Sequence, residues 1–163
     1  MPLTAKPVLE RIAEAIMYRL QLLAADYSPH TPVSEVVRPI RMGGFTPKHL
    51  QIVLTQTAPE RNDGIDLPGC PSADGWRVTF NIRCHVMPSE KDTTYVDTIA
   101  NTMAADVVRV VCDETTEEET YRGYAWYTFR GLAIDADWLS QEQITPDGSF
   151  AGIVVPLEVQ YRT

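Results

Sequence analysis

The chain has 163 residues, 44% apolar and 22% charged, which is an ordinary composition for one globular domain with its own core. Its net charge is −8, and the acid is unevenly spread: residues 1–48 hold six Lys/Arg and four Asp/Glu, whereas residues 49–163 hold eight and eighteen. Such a balance repels a phosphate backbone and argues against sequence-specific nucleic-acid binding. No run approaches the ~20 apolar residues of a membrane span, and the first residues lack a signal-peptide pattern, so folding in the cytoplasm is expected. Cys70, Cys84 and Cys112 are odd in number and widely spaced, which fits free thiols better than a disulfide framework or a zinc site.

Leu9, Ile12, Ile16, Leu20 and Leu23 recur at spacings of three and four and predict an amphipathic helix of about five turns. Pro7 suits its first turn, and the run Tyr27 to Pro32 ends it. Glu35 to Arg38, bounded by Pro32 and Pro39, reads as a short edge strand. Leu50, Ile52 and Leu54 alternate with Gln51, Val53 and Thr55 and predict a second strand.

That strand should pair with the longest alternating run in the chain. From Trp76 to Met87, Trp76, Val78, Phe80, Ile82, Cys84 and Val86 take one face, and Arg77, Thr79, Asn81, Arg83 and His85 take the other. At about 3.3 Å per residue this strand reaches roughly 40 Å, enough to extend past a compact body, and its polar face suits a platform better than a pocket. Thr57 to Gly75, rich in Pro, Gly and Asn, is a long connecting loop that includes Arg61, Asp63 and Asp66. Thr94 to Asp97 reads as a capping box before a second helix that runs to about Val111.

The acidic run Asp113 to Glu119 reads as a solvated loop. Two strands follow, one from Trp126 through Phe129 to Ala136 and one from Ile153 to Tyr161, separated by a turn at Thr145 to Gly148. Pro156 cannot donate to a ladder and implies an edge or a bulge. The expected fold is therefore α+β: one domain over residues 1–163, with a mostly antiparallel sheet of four to five strands, two flanking amphipathic helices and a long hairpin loop.

No constellation for catalysis, cofactor or metal binding emerges. Cys84 and His85 are adjacent in a strand and point to opposite faces, which leaves Cys84 as a core residue and His85 as a surface group. His30 and His49 lack a second ligand at metal spacing. Asp135 and Asp137 share a strand face at a spacing that could hold a cation or an acid–base pair, although solvated carboxylates are the ordinary case. Gly43 to Lys48 lacks phosphate-loop spacing. Tyr121, Tyr124, Trp126, Tyr127 and Phe129 place aromatics on both parities of a regular strand, so either one face meets the core and the other a partner, or both are buried within one subunit.

The helix from Pro7, the hairpin built on Leu50 to Gln56 and Trp76 to Met87, the helix from Thr94 to Val111 and the final strand into Tyr161-Arg162-Thr163 together resemble the tail terminator family of long-tailed bacteriophages. The resemblance spans nearly the whole chain. It implies a hexameric ring in the virion at the head-proximal end of the tail tube, which stops tube polymerisation and meets the neck or head-completion protein. The ring would contact the major tail tube protein and let DNA pass without sequence-specific binding, with no membrane and no cofactor. The Thr57 to Gly75 loop is longer than the family's short hairpin. Residues expected at subunit contacts are Arg77, Arg83, His85, Arg61, Asp63, Asp66, Tyr127 and Phe129. A head-to-tail connector or neck adaptor, a small enzyme using Asp135, Asp137 or His85, and a nucleic-acid module are the alternatives.

Overall fold

The computed structural model describes residues 6–24, 32–39, 45–62, 75–87, 95–112, 129, 132–144 and 151–163. In chain order they form α1 (Val8–Ala24), β1 (Glu35–Val37), β2 (Gln51–Gln56), β3 (Glu60–Arg61), β4 (Gly75–Val86), α2 (Val96–Cys112), β5 (Ala133–Trp138), β6 (Glu142–Ile144) and β7 (Ala151–Arg162). This is an α+β fold with one mixed sheet. Its main path is β1-β2-β4-β7-β5, β3 pairs with β4, and β6 pairs with β7. Only β1 against β2 is parallel among these pairings.

The sheet is built around β4 and β7, which pair antiparallel without interruption from Gly75↔Arg162 to Val86↔Ala151. Alternation then sorts the side chains into two layers. On one face Val78, Phe80, Ile82 and Cys84 meet Val159, Leu157, Val155 and Ile153, all buried. Ile12, Ile16 and Leu20 of α1 and Met103, Val107 and Val110 of α2 complete the same core. Both helices pack on this face, and α1 lies against α2.

Arg19 is 2% exposed within that layer. Its Nη1 donates to the backbone oxygens of Val110 (3.0 Å) and Val111 (3.3 Å), in the last turn of α2. Carbonyls there have no partner in their own helix and lie at the negative end of its dipole, so a guanidinium suits them twice over. At the sheet's edge, Arg38 donates to both carboxylate oxygens of Glu10 (2.8 and 3.1 Å) and ties the end of β1 to α1.

Six expectations change. The sheet has seven described strands against the four to five expected, and the two-residue β3 lies inside the stretch from Thr57 to Gly75 expected as a loop. Leu50 belongs to a turn ahead of β2, with φ of 53°, because the Ser34 N–H donates to its carbonyl (2.9 Å) and holds the chain there. Of the strand expected from Trp126 to Ala136, the described part is β5, Ala133–Trp138; Phe129 has φ of 46° and sits in a turn closed by the Leu132 N–H (3.3 Å), so alternation does not run through it. Phe129 is fully buried and is a core residue of one subunit, not an interface residue. Pro156, lastly, lies in a central strand. Its carbonyl accepts from Leu139 N–H (2.9 Å), so its nitrogen faces the same side, at the interruption between β5 and β6, and the β4 ladder loses no donor.

Gly152 leaves no room for a side chain: a Cβ there would lie 2.2 Å from the backbone oxygen of Cys84. Gly152→Ala is expected to cost about 1–3 kcal/mol in a denaturant titration, the usual range for overpacking, because the opposing atom is backbone and cannot rotate away. Arg19→Met keeps the apolar stem but removes the donor, and should cost a further-ranging loss of about 1.5–3 kcal/mol, centred on the end of α2 in amide exchange.

Candidate interaction surface

Opposite the helices, the sheet presents Arg77, Thr79, Asn81 and Arg83 of β4 beside Gln160, Glu158, Pro156 and Val154 of β7. Thr79, Asn81, Arg83, Glu158 and Gln160 are half-exposed. This broad polar face is the platform expected from the alternation of Trp76 to Met87.

Its two ends differ. At one, Arg77 faces Glu60 across the β3–β4 pair and donates from Nε (3.2 Å) and Nη2 (3.0 Å) to Glu60 Oε2. Arg61, opposite Trp76, is exposed beside it. An exposed pair of this kind adds little stability, so its charges remain available to a partner.

At the other end Arg83 has Val53 of β2 on one side and Val154 of β7 on the other. A depression of 320 Å³ opens there, floored by Val53, Arg83, His85 and Val154, and walled by Phe45 and Pro47 on one side and Glu142, Gln143 and Ile144 on the other. The wall at Pro47 is clamped by side chains. Gln51, 1% exposed, accepts from the Lys48 N–H (3.1 Å) and donates to Glu35 Oε2 (3.0 Å), which Lys48 Nζ also reaches (3.1 Å). Those two hydrogen bonds, from Lys48 first and Gln51 second, hold the Glu35 carboxyl below its ordinary range.

His85 is not a surface group: although it points to the outer face, it is 4% exposed on the floor of this depression. Burial, and then the charge of Arg83, push its pKa below the usual imidazole value. Cys84 faces the core, where burial and, less strongly, Asp106 raise its thiol to about 12, so the two neighbours do not meet. Asp135 and Asp137 do share the outer face, opposite Gln160 and Glu158, and Asp135 Oδ1 accepts from the Ala136 N–H (2.9 Å). Among the described residues no group of three His, Cys, Asp or Glu could hold a metal ion, and no helix is long and apolar enough to cross a membrane.

Asp63, Asp66 and Tyr127 lie outside the described residues, as do the remaining aromatics from Tyr121 to Trp126, the acidic run 113–119, Thr94 and the turn at 145–148. The clamp of Glu35, Lys48 and Gln51 was not singled out in the sequence. Its one visible trace is Gln51 itself, a polar residue in an otherwise apolar strand start. Compared with known proteins, the sequence matches no family model and no curated protein.

Two titrations test these surroundings of His85 and Glu35. The His85 imidazole should titrate below 6.5 by NMR and move upward in Arg83→Gln, which removes the repelling charge. Because its folded pKa is depressed, the stability it contributes is complete above 6.5 and is lost as pH falls through the lowered value. Glu35 has the same sign in a more acidic window: the stability difference between the native chain and Glu35→Gln should be constant above 4.5 and shrink as pH falls through the lowered carboxyl value.

Proposed function

We propose that the chain is a structural protein of a bacteriophage virion that forms a ring at the head-proximal end of the tail tube, stops tube polymerisation and presents a surface to the neck. In this reading it works by binding and carries out no chemical step. The observation that supports it most is the outer sheet face. A twelve-residue strand, β4, holds Arg77 and Arg83 on a polar platform, while both described helices pack on the other side. Two-layered domains commonly cover such a face or use it against a partner.

A closed ring needs one patch of each subunit to meet a different patch of the next, and closure then fixes the copy number, six by the resemblance. The cation-bearing β4 face and the acid of β5 and β7 supply unlike patches on one molecule. The remaining partners are the major tail tube protein on one side of the ring and a neck or head-completion protein on the other. The acid excess over residues 49–163 suits a channel that DNA crosses without adhering.

Disrupting the gene and imaging the resulting particles tests the reading. Abnormally long, headless tubes are the expected outcome. Tails of normal length beside unjoined, DNA-filled heads would move the protein to the neck as a connector, and unaltered infectious particles would overturn a virion role.

A further inference from the structure

Arg77 and Arg83 have the same parity on the same strand and opposite surroundings. Arg77 faces a carboxylate, Glu60. Arg83 lies between two valines, and its buried Nε has no hydrogen-bond acceptor and its guanidinium no ion-pair partner among the described residues. A buried donor left unmade is costly, and a guanidinium more so than a neutral group. Natural interiors rarely leave one so without an external group to complete it.

We infer that the depression over Arg83 is a socket for one acidic side chain of a neighbouring copy of this chain. The inference rests on the ring reading and names the contact that would hold the ring. Three features select the occupant. The Nε–H and an Nη–H of a guanidinium form a fork matched to a single planar carboxylate. About half of the lining is apolar, from Phe45, Pro47, Val53, Ile144 and Val154, which suits the methylene stem of Glu or Asp, while Arg83 faces its carboxylate. Finally, the chain holds 22 acidic against 14 basic side chains, so a second copy brings carboxylates in surplus. Among the described residues of the lining Glu142 is the one acid, and it makes no ion pair with Arg83.

Sedimentation velocity of the full chain over a concentration series tests the inference, with Arg83→Gln and Val154→Glu beside the native chain. Arg83→Gln removes the fork. Val154→Glu puts a carboxylate directly across the ladder from Arg83 and fills the socket from within. The expected result is a native chain that assembles and two folded variants whose assembly weakens at least tenfold, with Val154→Glu melting no lower than the native chain. Assembly of either folded variant as tight as native would overturn the socket while leaving the ring in place. A native chain that stays monomeric at every concentration, alone and with tail tubes, would overturn the ring reading and the socket together.

Discussion

The uninterrupted pairing of β4 with β7 is the constraint on which the rest of this molecule depends. Because each residue of one strand has a fixed partner on the other, the ladder assigns every side chain to a face. A slip of one residue would move Arg83 and His85 into the core and Phe80 and Ile82 into solvent. The apolar burial shared by the two strands and both helices makes any such slip prohibitive. The outer arms follow the same frame. β2 and β3 both run along β4, and β5 and β6 both run along β7, each pair with its break where Thr57 or Pro156 alters the ladder.

Two arginines show how the two layers are used. Arg19 faces inward and is completed by the carbonyls of Val110 and Val111, so it closes the helical layer on itself. Arg83 faces outward, with a buried Nε that no acceptor completes among the described residues. Arg19 is thus complete within the chain, whereas Arg83 is the group that, in the reading proposed above, a neighbouring copy completes. The clamp of Glu35, Lys48 and Gln51 supports the second by fixing the wall beside it.

Much of this frame is legible in the sequence where the hydrophobic period is strong. Both helices, β2, β4 and β7 follow from spacing alone, and so does the separation of Cys84 from His85. The parts that are not legible have physical causes. Phe129 and Leu50 adopt left-handed backbone, which no side-chain pattern announces for residues other than glycine. Pro156 sits in a central strand because the break falls beside it, a tertiary coincidence with no local signature. β3 and β6 are two and three residues long, too short for a period to register. Alternation places His85 on the correct face, yet it is covered, since alternation gives direction and says nothing of what folds over from residues 45–47.

Electron cryomicroscopy of the full chain bound to tail tubes tests whether the outer face of β4 is the surface between subunits that we propose. The expected image is a closed ring at one end of the tube, with Arg83 of each copy against an acidic side chain of the next. A ring whose β4 face points into solvent, or a lone copy on the tube end, would contradict it.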